Sequence, residues 1–241
     1  MPALKADIIT QLKKDILALQ GFRPLVHAQD SIDLGTINHS FPHSQFPLGV
    51  NHEFICNSPE SLTASSGFIA GILSSLLQKS SAAVWINSSQ IIFPPALVNF
   101  GIDPARIIFI HLRDPKKILW TIEEALKCEG LTAVIGEVTP IDLTISRKLQ
   151  LASERSRVTG FLLRNQPRQL NTTACVCRWQ VSPLQSEMKD DLPGVAFPRW
   201  RVELLKVRNG KPGIWQLEWA NGKINEVVVK ISPNEQHKQA V

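Results

Sequence analysis

The stretch His52-Glu53-Phe54-Ile55-Cys56-Asn57-Ser58-Pro59-Glu60-Ser61-Leu62-Thr63-Ala64-Ser65 decides how this 241-residue chain is read. Its first five residues are a short apolar run of β type. Polar residues and a proline follow, and a helical pattern runs over 65–78. The alternation then repeats. Residues 82–87, 107–112, 133–138 and 159–163 read as strands, and 115–128 and 140–157 as helices. Asp114-Pro115 offers an N-cap with proline at the first helical position, and Thr139-Pro140-Ile141-Asp142 a start of the capping-box type. Strands alternating with helices predict an α/β fold with a mostly parallel sheet.

Outward from this core the rhythm changes on both sides. Leu4, Ile8, Leu12 and Ile16 recur every four residues, an apolar stripe on an amphipathic N-terminal helix over 1–21 that Gly21 is placed to end. Residues 22–45 lose periodicity around Pro24, Gly35 and Pro42 and read as a linker. After residue 172 only strands are expected, at 174–182, 199–207, 214–219 and 227–231, with hairpin turns at Asn209-Gly210 and Asn221-Gly222. The expected domain therefore spans 46–233, an α/β core over 46–172 and an antiparallel β extension over 173–233, with a loose tail at 234–241.

Hydrophobic residues make up 44% of the chain, enough for a globular core and too many for intrinsic disorder. No apolar run reaches the roughly 18 residues of a membrane-spanning helix. The segment 1–14 has no long apolar stretch of the secretory type. Four cysteines in this length do not make a disulfide scaffold, so a reduced, cytoplasmic protein is expected. The net charge of +5 is unevenly spread. Residues 1–146 hold 10 Lys and Arg against 13 Asp and Glu, and residues 147–241 hold 16 against 8. The second part thus faces either an acidic partner, such as nucleic acid, or simply water.

In α/β nucleotide-binding folds the segment after the first core strand forms the phosphate loop, G-x-x-x-x-G-K-[ST]. Here the eight positions are Ser58, Pro59, Glu60, Ser61, Leu62, Thr63, Ala64 and Ser65. Ser58 and Thr63 replace the glycines, Ala64 replaces the lysine, and Ser65 keeps its hydroxyl. A charge-assisted hydrogen bond contributes about 1.5–3 kcal/mol, so loss of the lysine weakens nucleotide binding roughly 10- to 150-fold. At most weak ATP binding at the helix N-terminus is expected, without efficient hydrolysis.

This arrangement resembles the RecA family of recombinases. A leading helix precedes a linker, Phe46-Pro47-Leu48-Gly49 introduces the first core strand, and Pro59-Glu60-Ser61 matches the interior of the RecA phosphate loop. More closely, the chain resembles the ImuA family, the RecA-like, SulA-related components of inducible error-prone DNA repair. The likeness rests on Phe46-Pro47-Leu48-Gly49 with His52-Glu53, Gly101-Ile102-Asp103-Pro104-Ala105-Arg106, the segments 119–128 and 146–152, and Pro198-Arg199-Trp200-Arg201-Val202-Glu203-Leu204-Leu205. Two further positions depart from an active RecA pattern. The second strand ends in Asn87-Ser88-Ser89 instead of an acid, and the strand 133–138 offers Glu137 where a metal-binding aspartate belongs.

The resemblance implies a RecA-like core acting as a damage-inducible accessory factor in translesion synthesis and mutagenesis, part of the SOS response. It implies association with an ImuB-like relative of Y-family polymerases and an error-prone polymerase, and contact with single-stranded DNA or RecA. It also implies self-association through the N-terminal stripe. The alternatives are a SulA-like inhibitor that binds the division protein FtsZ and an active DNA-dependent ATPase. In RecA relatives the region after the last α/β strand leads to a DNA-contacting loop, which makes Arg164, Arg168 and Arg178 candidate DNA or partner contacts.

Other chemistry is sparse. Cys175 and Cys177 are expected on one face of a strand, as structural thiols and not as half of a zinc site. The cluster His27, His39, His43 and His52 lacks metal-ligand spacing. His111 reads as a core histidine, and Trp179, Trp200, Trp215 and Trp219 as packing residues of the β extension.

Overall fold

β1 (Asn51–Cys56) lies inside the sheet with every residue buried, which requires neighbours on both edges and layers on both faces. The computed structural model, which describes residues 8, 9, 11, 12, 16, 32–77, 81–89, 92–138, 140–167, 169–186 and 197–227, supplies all of these. The other elements are α1 (Pro59–Leu76), β2 (Ala82–Asn87), β3 (Ile107–His111), α2 (Pro115–Leu126), β4 (Leu131–Val138), α3 (Leu143–Ser156), β5 (Thr159–Asn165), β6 (Cys177–Leu184), β7 (Arg199–Val207), β8 (Gly213–Ala220) and β9 (Lys223–Glu226). The strands form one nine-stranded sheet in the order β3-β2-β4-β5-β1-β6-β7-β8-β9. The pairs from β3 through β6 are parallel, and those from β6 to β9 are antiparallel.

Crossover direction explains where the helices sit. β1–α1–β2 crosses the sheet one way, whereas β3–α2–β4 and β4–α3–β5 cross it the other way. Right-handed crossovers then place α1 on one face and α2 and α3 on the opposite face. Two apolar clusters follow. Phe68, Ile69 and Leu73 of α1 pack with Phe54, Phe161, Trp179 and Trp200 on the first face. Ile118 and Ile122 of α2 and Leu149 of α3 pack with Val134 and Leu162 on the second. Gly136 is required there, because a Cβ at that position would overlap the Ile122 side chain. The first cluster continues along β6–β8 through Val181, Val202, Leu217 and Trp219, so one core joins both halves of the sheet.

Several expectations are corrected. α1 begins at Pro59, six residues earlier than expected. The second half of the expected linker is no spacer: Ile32, Leu34, Ile37 and Phe41 are buried in the first cluster, around 3-10 turns at Gly35–Ser40 and Pro42–Ser44. β6 starts at Cys177, three residues late, and is parallel to β1 before the antiparallel pattern begins. The last described strand is Lys223–Glu226, with Asn221 and Gly222 both at positive φ in a two-residue turn, and residues 228–231 of the strand expected at 227–231 lie outside the described residues. Ile8, Leu12 and Ile16 are helical and exposed, and Leu4 lies outside the described residues. No described helix is long and apolar enough to cross a membrane.

Candidate functional site

Open α/β sheets bind ligands at the carboxyl ends of their strands, where connections leave for opposite faces. In this chain that edge gathers the end of β1, the start of α1 and the ends of β2, β3 and β4.

The eight phosphate-loop positions are not a loop. Ser58 is the N-cap of α1 and Pro59 its first residue. Ser58 Oγ accepts from the Ser61 N–H at 3.2 Å, and Ser61 Oγ accepts from the Ser58 N–H at 2.9 Å, a reciprocal capping box. The Ser58 hydroxyl and Glu60's own backbone N–H hold the Glu60 carboxyl below its ordinary pKa. An acidic side chain thus already stands in the first turn, where a helix terminus favours negative charge. Ala64 is buried, and Thr63 Oγ1 donates to the Pro59 carbonyl at 3.0 Å. Ser65, expected to keep its chemistry, is fully buried and accepts from the Cys56 thiol. Burial pushes that thiol up to about 11.

Glu137 sits at the end of β4 with both carboxylate oxygens hydrogen-bonded. Ser88 N–H and Oγ donate to Oε2 at 3.2 and 2.7 Å, Ser89 N–H donates to Oε2 at 3.1 Å, and Ser89 Oγ donates to Oε1 at 2.6 Å. The two serines that stand where an acid was expected instead clamp the acid of the neighbouring strand. Glu137 therefore ties β2 to β4, with three donors on Oε2 and one on Oε1. Beside it, His111 Nδ1 meets Asn87 Oδ1 at 3.3 Å. His111 is exposed at the end of an edge strand, not the core histidine expected.

The core histidine is His52. Its ring stacks on Phe46 at 4.5 Å, Nε2 donates to the Pro47 carbonyl at 2.8 Å and Nδ1 accepts from Trp179 Nε1 at 3.3 Å. A carbonyl can only accept and an indole N–H can only donate, so the ring is neutral. Burial lowers its pKa to about 4.

Arg164 and Arg178 do not reach outward. Glu53 Oε1 accepts from Arg164 Nη1 at 2.7 Å, and Oε2 accepts from Arg178 Nε at 2.7 Å and from Thr173 Oγ1 at 2.8 Å. Arg164 is 3% exposed, and its guanidinium is taken up by Glu53 and the Gln169 carbonyl. Both guanidinium groups also donate to carbonyls of the connection after β5, at Gln169 and Asn171. Their work is to fix that connection over β1. Arg168 lies outside the described residues. Cys175 and Cys177, expected on one face, belong to opposite apolar clusters, and burial pushes Cys175 up to about 12.

The same stretch of α1 borders a feature the phosphate-loop reading did not anticipate. A cavity of about 620 Å³ opens between α1, the 3-10 turn Pro94–Phe100 and the ends of β6 and β7. Thr63 and Gly67 of α1 meet Phe93, Leu97, Phe100 and Trp200 around it. The scattered aromatics of 93–100 were the available signal. The site as a whole offers apolar surface beside a sealed helix terminus. Among the described residues the cavity lining is mostly apolar, with the exposed Glu60 carboxylate at its edge and Arg199 paired to Glu218.

No protein-family model matches the chain. Among curated proteins it is 34% identical over 195 residues to Protein ImuA of Caulobacter vibrioides strain NA1000 / CB15N, an alignment covering 76% of this chain and 80% of the relative. Protein ImuA of a second strain of that species, ATCC 19089 / CIP 103742 / CB 15, matches to the same extent.

Proposed function

The chain belongs to the ImuA family, and on that premise we propose that it is an accessory factor of damage-induced error-prone DNA repair that works by binding, without turning over nucleotide. The observation that carries the second half is the closed start of α1. Ser58 and Ser61 cap each other, Glu60 puts a negative charge in the first turn, and Ala64 stands buried where a lysine would reach the phosphates. The Glu137 clamp adds to it, because a carboxylate already accepting four hydrogen bonds gains little from a metal.

The core is RecA-like on this reading. The parallel half of the sheet, its helices on both faces and the antiparallel extension support it. The partners are an ImuB-like polymerase relative and an error-prone polymerase. The exposed stripe of Ile8, Leu12 and Ile16 supports a docking role for the N-terminal segment, toward such a partner or a second copy. Phosphate release by the purified chain, with and without single-stranded DNA, tests the catalytic half. No sustained turnover is expected, and a rate near about 1 per second, ordinary for an enzyme, would refute it. A tagged chain recovered from DNA-damaged cells should carry the ImuB-like protein, and its absence would refute the assembly role.

A further inference from the structure

With Arg164 and Arg178 committed to Glu53, the excess charge of the second half of the chain must be sought elsewhere. β6–β9 bury one face under α1, whereas among the described residues no helix lies over the second face of β7 and β8. Cross-strand partners Gln180, Glu203 and Ile214, and then Ser182, Arg201 and Gln216, form rows across that face. Ile214 is 58% exposed and Leu205 39%.

Cations border it from two elements. On β7, Arg201 and Lys206 are exposed, and Arg208 follows the strand. Lys206 Nζ donates to the Thr173 carbonyl at 3.3 Å and Arg208 Nη2 to the Ala174 carbonyl at 3.1 Å, so both are held beside the connection that crosses from β5. Across that connection runs α3. Ser146 Oγ accepts from the Ala174 N–H at 2.9 Å, and Glu154 lies 3.9 Å from Arg208, which fixes the flank of α3 that looks toward the extension. Exposed Arg147, next to Ser146, falls on that flank, and exposed Arg157 caps the end of α3, three residues beyond Glu154. Five cations therefore border the surface, against the carboxylates of Glu154 and Glu203, while Arg199 and Glu218 pair with each other in the next row. From Arg201 to Arg208 the row runs about 23 Å at the rise of a strand.

We propose that this sheet face, bordered by Arg147, Arg157, Arg201, Lys206 and Arg208, is a binding surface for the phosphodiester backbone of a single nucleic-acid strand. The cations supply the phosphate contacts, and Ile214 and Leu205 supply sequence-tolerant apolar contact to bases. A row of separated cations along one extended direction matches the regular charge spacing of such a strand. The proposal rests on charge placement alone and stands apart from the question of nucleotide turnover and polymerase partners.

The test is a fluorescence-anisotropy titration of the full chain with a labelled single-stranded oligothymidylate at several salt concentrations. Affinity should fall with salt, with a slope of about 0.7 per phosphate contact. The variant Arg147→Ala/Arg201→Ala, both side chains exposed, should lower that slope by about 1.4. The variant Lys116→Ala/Lys117→Ala, on α2, should leave it unchanged, and thermal melts should show both variants folded. Absence of binding by the wild type at low salt, or an equal loss in the two variants, overturns the proposal. In the first case the face serves an acidic protein or only water.

Discussion

Glu53 and Arg164 meet at 2.7 Å between β1 and β5, with 1% and 3% of their side chains exposed. Burying a carboxylate and a guanidinium is costly unless their remaining hydrogen bonds are satisfied, and here Thr173, Arg178 and the Gln169 carbonyl complete the set. This pair is the peg that holds the connection from β5 to β6 against the parallel sheet.

Removing one member strands the others. Glu53→Ala should destabilise the fold by about 3–5 kcal/mol, the usual loss when a buried pair is broken from one side. Urea unfolding checks it. Replacing Arg201 should change stability less, because its side chain is 48% exposed and its pair with Glu203, at 3.3 Å, is open to solvent screening on that side.

Much of the fold was legible because its signals are local. Asp114-Pro115 caps α2 as expected, with Asp114 accepting from the Lys116 N–H, and Asn221-Gly222 turns the last hairpin. Ser58-Pro59 carries the same N-cap signal as Asp114-Pro115, and reading it as a degenerate phosphate loop hid the true start of α1. Arg164 and Arg178 were read as surface cations because their partner lies 111 and 125 residues away in sequence. Ile32, Leu34, Ile37 and Phe41 pack on 3-10 turns, which show no 3.6- or 2-residue period. The Glu137 clamp is half visible in sequence: Ser88-Ser89 and Glu137 each depart from an active RecA pattern, but only the pairing of β2 with β4 brings them together.

That clamp is directly testable. Glu137→Gln replaces one acceptor oxygen by an NH2 group that must face serine donors. A loss of about 1–3 kcal/mol is expected, the cost of leaving buried polar groups unpaired. Magnesium should not raise the melting temperature of the wild type. A clear magnesium-dependent increase would mean that Glu137 is available to a cation after all.

His52 gives the fold an acid sensitivity. Its pKa is about 4 folded, against an ordinary 6.5. A histidine depressed in the folded state lends its full stability above about pH 6.5, and that stability falls as pH drops toward 4, because the unfolded chain takes up the proton first. Between pH 7.5 and pH 5 the loss should be about 2 kcal/mol. Urea midpoints at the two pH values measure it, and His52→Gln should remove this part of the pH dependence while lowering stability at both. An unchanged pH dependence in the variant would mean that other groups dominate the acid response.

Restoring the missing lysine should not restore a nucleotide site. Ala64 stands on the second turn of α1, buried against the first apolar cluster and bordering the 620 Å³ cavity. A phosphate loop needs free N–H groups curled around the anion as well as an ammonium group. Here Pro59 has no N–H, the Ser61 N–H is held by Ser58, and Glu60 repels an incoming phosphate. Ala64→Lys would push a long cationic side chain into a packed apolar surface, at a cost of about 1–3 kcal/mol for the overpacking alone. Calorimetric titration with ATP and magnesium should therefore show no gain in affinity over the wild type, and the melting temperature should fall. A tenfold or larger gain would mean that the start of α1 can reopen into a loop, and the lysine alone would then account for the lost chemistry.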